Sequence, residues 1–163
     1  MALSFSTDGQ ANVKIVNFVW FENRPDTLFF SSVKGTAGTR EYTQAQSVAF
    51  TSIPNSDMIG NPYIRSQNVT IHPSNKTMKE LLPKYLDSVS NYQKVWDMIG
   101  PKLEVFELKL GDVYVDPGLG KEKITLKYNS HNIQFIHLKA YSSVVLAYSW
   151  GCTTVSAIIL RTF

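Results

Sequence analysis

The sequence predicts a mainly β fold with minor α content: a small antiparallel β-barrel whose openings are covered by two or three short helices. Three observations carry that expectation. Short segments with period-2 alternation follow one another from residue 2 to residue 127, punctuated by Gly, Pro, Asn and Asp. Helical spacing is confined to short stretches. The 163 residues, 44% hydrophobic and 18% charged, suffice for one domain with a real core, are too few for two ordinary domains, and rule out a disordered or collagen-like chain.

The elements follow in order. Residues 2–7 alternate weakly and end at Asp8-Gly9, a strong hairpin signal. Residues 11–21 read as one long strand, with Val13, Ile15 and Asn17 on one face and Lys14, Val16 and Phe18 on the other. A turn over 22–26, marked by Pro25 and Asp26, leads to a third strand over 27–32, so the first three strands read as an antiparallel meander. A small-residue loop precedes a short helix over 40–46; strand four covers 47–52, and turn material at 54–57 leads to strand five over 63–71. Met78, Leu81, Leu82 and Tyr85 share one helical face within 75–86, behind a start signal at Ser74 and Asn75, and Pro83 bends that helix or starts a new one. A second helix over 89–99 stops at Gly100-Pro101. Strand six spans 103–110, with Leu103, Val105 and Glu107 on one side and Glu104, Phe106, Leu108 and Leu110 on the other. Residues 112–116 extend that strand region, 117–120 turn, and 121–127 form the last of about seven strands.

Charge divides the chain unevenly. Residues 1–127 hold 14 of the 16 basic residues and all 13 acidic ones, whereas 128–163 hold only Lys139 and Arg161. The expected organisation is therefore a barrel domain over 1–127 and an atypical low-charge tail over 128–163. Two readings of the tail stay open: an added structural element, such as a strand pair or a membrane-associating helix, or sequence foreign to the barrel, as from readthrough or an altered frame. Its run 144–160 has 17 uncharged residues, against the roughly 17–25 that span a bilayer. Ser149, Gly151, Thr153, Thr154 and Ser156 weaken the membrane reading. The start of the chain has neither a basic nor an apolar leader region, so a cytoplasmic location is expected.

Several chemistries are excluded. The single cysteine, Cys152, rules out an intramolecular disulfide and a Cys-based zinc site, and reads as an inert buried thiol. His72, His131 and His137 are scattered, so no metal site is expected. No phosphate-binding P-loop, nucleophile elbow or zinc-protease motif is present. Carboxylates occur singly, with Asp112 and Asp116 read as turn or solvent residues. A net charge of +3 with no basic stripe does not suggest nucleic acid. Trp20, Phe21, Phe29 and Phe30 beside Lys14 could form a base-stacking surface, but read more readily as core or interface.

Residues 29–40 are the most informative stretch. A strand ends in two hydroxyls, Ser31 and Ser32; a glycine-containing loop carries Lys34; Thr39-Arg40 opens a helix. Backbone N–H groups at a helix start, hydroxyls and a guanidinium all suit a phosphate. Lys14 on the neighbouring strand adds a cation, giving a cluster of Lys14, Lys34 and Arg40. The competing reading is a polar surface loop with solvated charges.

The order of these elements resembles the pyridoxamine 5′-phosphate oxidase-like proteins, which are FMN-binding split β-barrels. The likeness rests on a strand, an Asp-Gly turn, a strand ending FVWF at 18–21, TLFFSS at 27–32, a polar loop, Thr39-Arg40, a short helix, SVAFTS at 47–52 and LEVFEL at 103–108. It covers about residues 2–127. It implies an FMN-dependent oxidoreductase acting on a small molecule, as a homodimer with two FMN sites at the subunit interface. It implies that Lys14 meets the FMN phosphate and that Val16 and Asn17 lie beside the isoalloxazine ring, partly through backbone hydrogen bonds. Ser31 and Ser32 match the family's hydroxyl pair, and Thr39 and Arg40 its Ser/Thr-Lys pair, with Arg adding bidentate geometry. The family's helix before the first strand is absent, the loop 33–38 is longer or richer in glycine, and substrate-binding residues of true pyridoxamine-phosphate oxidases are not identifiable. The alternative is a non-enzymatic barrel that binds flavin or haem for storage or sensing.

Overall fold

The computed structural model describes residues 1–45, 47–53, 62–118, 121–129 and 132–137. Among these it contains ten strands, three helices and one 3-10 turn. In chain order they are β1 (Ala2–Thr7), β2 (Gln10–Ile15), β3 (Phe18–Trp20), β4 (Thr27–Val33), α1 (Ala37–Gln44), β5 (Ser47–Thr51), β6 (Tyr63–Pro73), α2 (Met78–Ser88), α3 (Tyr92–Ile99), the 3-10 turn (Gly100–Lys102), β7 (Leu103–Lys109), β8 (Asp112–Asp116), β9 (Ile124–Asn129) and β10 (Asn132–His137). The fold is mainly antiparallel β, a sheet curled into a half-barrel, as the alternation predicts.

One run of strands is ordered β10-β9-β8-β6-β5-β1-β2, and a second is β3-β4-β7-β6, so β6 belongs to both. Its first half pairs with β8, from Tyr63 opposite Asp116 to Gln67 opposite Asp112. Its second half pairs with β7, from Thr70 opposite Lys109 to Pro73 opposite Phe106. Asn68 makes the bend between them with φ 57°, a left-handed conformation that Asn tolerates better than most side chains. The β5–β6 register shifts at the same place, as a bulge would produce.

The expected long strand over 11–21 is two strands. β2 pairs with β1 in the first run, whereas β3 pairs with β4 in the second. The chain therefore crosses between sheets at Val16-Asn17, and the expected three-strand meander is a hairpin followed by a strand pair elsewhere. The boundary expected at 127/128 falls within β9, and β9 continues into an antiparallel pairing with β10. The rest of the tail lies outside the described residues, including 144–160, Cys152, Lys139 and Arg161.

Two apolar clusters form on opposite faces of β4 and β7. Phe30, Phe106 and Leu108 point into the barrel with Leu3, Phe5, Val113 and Leu126. Phe29, Val105 and Leu103 point the other way, against Leu81 and Tyr85 of α2 and Tyr92 of α3. This two-sided burial explains why β4 reads TLFF rather than alternating. Phe30 and Phe106 stack with centroids 5.5 Å apart, and Tyr42 of α1 meets them edge-on at 5.1 and 5.3 Å. Such aromatic pairs add roughly 0.5–1.5 kcal/mol each beyond area burial. Phe29 and Phe30 are fully buried and Trp20 nearly so, so they are core residues and not a base-stacking surface.

The helices differ in extent from expectation. α1 begins three residues early, because Thr36 caps it. α2 starts at Met78 and runs through Pro83 without breaking. Pro83 lacks the N–H that would bond to the carbonyl of Lys79, and the burial of Leu81 and Tyr85 on either side holds the helix on the sheet. α3 starts at Tyr92, after Asn91 in a left-handed conformation at φ 61°.

Candidate functional site

The crossing at Val16-Asn17 opens a cleft between β2, the end of β4 and the two helices α2 and α3. It has a volume of about 490 Å³. Lys14, Val16 and Asn17 line it from the crossing strand, and Ser31 and Ser32 from the end of β4. Tyr85 of α2 and Tyr92, Val95 and Ile99 of α3 form the facing wall. Five of the eight residues singled out in the sequence thus share one cleft, although they come from two different strand runs of the sheet. The other three do not line it.

At the crossing itself, the Val16 N–H donates to the Met1 carbonyl (3.0 Å), and the Val16 carbonyl accepts from the Met1 amine (2.8 Å). Both backbone groups of Val16 are therefore occupied within the chain. Val16 lines the cleft with its N–H bonded to Met1, and its carbonyl keeps a second lone pair. The Asn17 carbonyl accepts from the Tyr85 hydroxyl (3.3 Å), and the Ser31 hydroxyl lies 3.4 Å from that of Tyr92. The rings of Tyr85 and Tyr92 stack at 4.4 Å and 8°. Burial pushes both phenols above their ordinary pKa, against the lowering effect of hydrogen bonds from Ser31. For Tyr85 the rise is large, and the charge of Tyr92 adds to it. Both are neutral hydroxyls near pH 7.

One end of the cleft is basic. The Lys14 ammonium lies over the rings of Phe5 (5.4 Å) and Tyr42 (5.1 Å). It pairs with the Glu41 carboxylate at 2.6 Å. It also sits where the first turn of α1 begins: a Cβ on Gly38 would fall 2.7 Å from Nζ. Gly38 therefore leaves room for the ammonium beside the first turn of α1. The Thr36 hydroxyl accepts from the Thr39 N–H (3.4 Å) and donates to the Val33 carbonyl (2.9 Å).

Lys34, Thr39 and Arg40 have other surroundings. The Lys34 side chain reaches the Pro101 carbonyl at 3.5 Å on the exposed side of the loop. Thr39 is buried, and its hydroxyl donates to the Thr36 carbonyl at 2.9 Å. Arg40 is exposed on α1. The early start of α1 is the physical reason: it puts Thr39 and Arg40 inside the helix rather than at its opening. Lys14 is thus the one cation of the expected trio that lines the cleft.

Sequence reasoning missed Tyr85, Tyr92, Thr36 and Glu41. Tyr85 was visible as part of an apolar helical stripe, but its hydroxyl contact with Asn17 depends on tertiary packing. Thr36 carried a readable signal, a Thr just before a helix. Among the described residues no group of His, Cys, Asp and Glu could hold a metal ion, and no helix is long and apolar enough to cross a membrane. A second, more apolar cavity of about 520 Å³ lies on the other side of Asn17, between Trp20, Leu28, Phe50 and Ile64, with Lys84 and Asp87 at its rim.

The curled half-barrel, with a cleft where its two strand runs part, is a split-barrel architecture. The family model described as pyridoxamine 5′-phosphate oxidase-like matches residues 1–122, and the chain belongs to that family. No curated protein sequence matches it. Solved structures similar to it include a pyridoxamine 5′-phosphate oxidase-related, FMN-binding protein from Nostoc punctiforme, with TM-score 0.51, 13% identity, and coverage of 83% of this chain and 86% of that one. A haem-binding protein from Mycobacterium smegmatis has TM-score 0.52 and 16% identity over 77% of this chain, which spans 51% of that protein. ChuZ from Campylobacter jejuni has TM-score 0.58 and 9% identity, with 89% of this chain and 60% of that one covered.

Proposed function

We propose that the chain binds FMN in the Lys14–Tyr92 cleft and acts as a flavin-dependent oxidoreductase on a small molecule, as a homodimer in the cytoplasm. The observation that carries this reading is the chemistry of one cleft: a cation beside a helix start at one end, hydroxyls of Ser31 and Ser32, and apolar walls of Val16, Val95 and Ile99. That combination suits an amphiphilic ring with an anionic tail. Bound there, a flavin supplies two-electron redox chemistry, and the protein binds and orients it. Lys14 would face the phosphate. Asn17, Ser31 and Ser32 would face polar atoms of the ring or of its ribityl chain, and the neutral phenols of Tyr85 and Tyr92 would close the wall without adding charge. Membership of the family and the FMN-binding Nostoc structure support the choice of cofactor.

The dimer rests on exposed apolar residues. Val13 and Ile15 on β2, the edge strand among the described residues, are 66% and 68% exposed beside the cleft, a liability on a strand with one free edge. A single cysteine, with no disulfide to form, suits a reducing compartment. The haem-binding mycobacterial structure favours a second reading, a barrel that holds a tetrapyrrole without turnover. Among the described residues no histidine lines either cavity, which favours flavin.

The test is the visible spectrum of purified protein titrated with FMN and with haemin, together with its mass in solution. Flavin bands that co-migrate with a dimer, and oxidation of a reduced nicotinamide by the loaded protein, are expected. Haemin bands with no retained flavin would overturn the cofactor assignment. Retained flavin without turnover would leave a binding protein.

A further inference from the structure

We propose that Glu41 sets the charge selectivity of the cleft: it occupies the Lys14 ammonium, and a phosphorylated ligand must displace it. The inference rests on the flavin reading for the identity of the ligand, but its geometry stands on this chain alone. Lys14 Nζ lies 2.6 Å from Glu41 Oε2, with the two side chains 34% and 31% exposed. Lys14 is the cation of the expected trio that lines the cleft, and Phe5, Tyr42 and Gly38 lie beside its ammonium. The Phe5 and Tyr42 rings are buried in the barrel core, so the ammonium's freedom is on the solvent side, where Glu41 meets it. The carboxylate can swing, because Glu41 is on the partly exposed side of α1.

An anion entering the cleft therefore meets a neutralised lysine. To use the ammonium it must compete with a carboxylate one helical turn from the N-terminus of α1. If that carboxylate stays nearby, it repels a dianion more strongly than a monoanion, and leaves an uncharged head unaffected. Glu41 thereby lowers the preference for phosphorylated ligands over neutral-headed ones that Lys14 alone would give. The closeness of the pair also means that removing Lys14 leaves Glu41 facing the cleft unpaired, so loss of Lys14 should weaken phosphate binding by more than the loss of one attraction.

The experiment uses the full chain and its E41Q variant, with FMN, riboflavin and inorganic phosphate as probes. Flavin binding is read by fluorescence quenching. Phosphate binding is read from the amide shifts of Gly38 and Thr39. Glu41→Gln is expected to tighten FMN by about tenfold, equivalent to ~1.4 kcal/mol, and to leave riboflavin unchanged. Equal tightening of both flavins, or no change in either, overturns the proposal. If neither protein binds any flavin, the flavin reading fails, and inorganic phosphate decides the inference. Tighter phosphate in the variant sustains it, and equal or absent phosphate binding overturns it. A cooperative thermal transition in both proteins establishes that the comparison is between folded molecules.

Discussion

At the scale of single residues, the Tyr85 hydroxyl carries the sharpest physical consequence. The side chain is fully buried, its hydroxyl donates to the Asn17 carbonyl at the sheet crossing, and burial holds its pKa far above the ordinary 10.0. The raised folded-state pKa fixes the sign. Below pH 10 the phenol is protonated in both states, and its contribution to stability is fully present. Above pH 10 the unfolded phenol ionises while the folded one keeps its proton, so stability falls as pH rises. For one such phenol the loss reaches about 1.4 kcal/mol at pH 11. Tyr92 and Tyr42, also raised, add to it in the same direction. Urea denaturation at pH 9 and pH 11 should show wild type losing more stability than Tyr85→Phe. At pH 8 the variant should be weaker by about 1–2 kcal/mol, because the Asn17 carbonyl loses its donor. Equal alkaline losses in the two proteins would mean that this phenol is solvated in the fold. Asp26 works at the acid end. Burial raises its pKa, but hydrogen bonds from Thr27 and Lys109 outweigh that and hold it below 3.8, so its contribution is lost as pH falls through that lower value.

At the scale of elements, α1 decides how the basic end of the cleft is built. Its cap, Thr36, ties the first turn to β4 through the Val33 carbonyl, while Tyr42 anchors the other side of the helix in the barrel core. Thr36→Ala should cost about 1 kcal/mol and weaken the ordering of the turn that holds Gly38 against Lys14. Thr36→Ser, which keeps the hydroxyl, should stay close to wild type. Urea midpoints check both, and a Thr36→Ala protein as stable as wild type would show that the 3.4 Å contact contributes nothing. Most strands were legible, because period-2 alternation survives wherever one face is buried. The split of 11–21 into β2 and β3 was not: Val16 and Asn17 suit extended backbone as well as their neighbours do, and what divides the strand is the pairing of Val16 with Met1. The start of α1 was misplaced because the Thr39-Arg40 pair looked like an opening, whereas Thr36 is the residue whose side chain accepts a first-turn N–H. That single shift separates the site residues found in the cleft from Thr39 and Arg40, which are not.

At the scale of the whole molecule, β6 is the strand on which the two runs of the sheet depend, and its bend is recorded in its burial pattern. Ile64 and Ser66 face inward before the bend, and Val69 and Ile71 after it, so the alternation slips by one residue at Gln67-Asn68. The slip was hidden in the sequence because one of the inward residues, Ser66, is polar; its hydroxyl donates to the Asp112 carbonyl at 2.7 Å. The bend is held from the other side by Gly111, at the corner between β7 and β8. A Cβ there would lie 2.6 Å from the Asn68 carbonyl oxygen and 2.9 Å from that of Gln67. Both neighbours are backbone, and moving them means moving the strand shared by both runs. Gly111→Ala is therefore expected to lose roughly 1–3 kcal/mol, as overpacking at a rigid site does. Gly38→Ala is the internal control, because the atom it would meet is the mobile end of Lys14, 2.7 Å away. There the ammonium can shift, and replacing glycine within a helix gains up to about 1 kcal/mol, so that variant should be neutral or stabilised while its cleft changes. Urea denaturation of the two variants gives a contrast in sign for one and the same added methyl group. If Gly111→Ala unfolds at the wild-type midpoint, β6 has room to move, and the two runs are less tightly coupled than their shared strand implies.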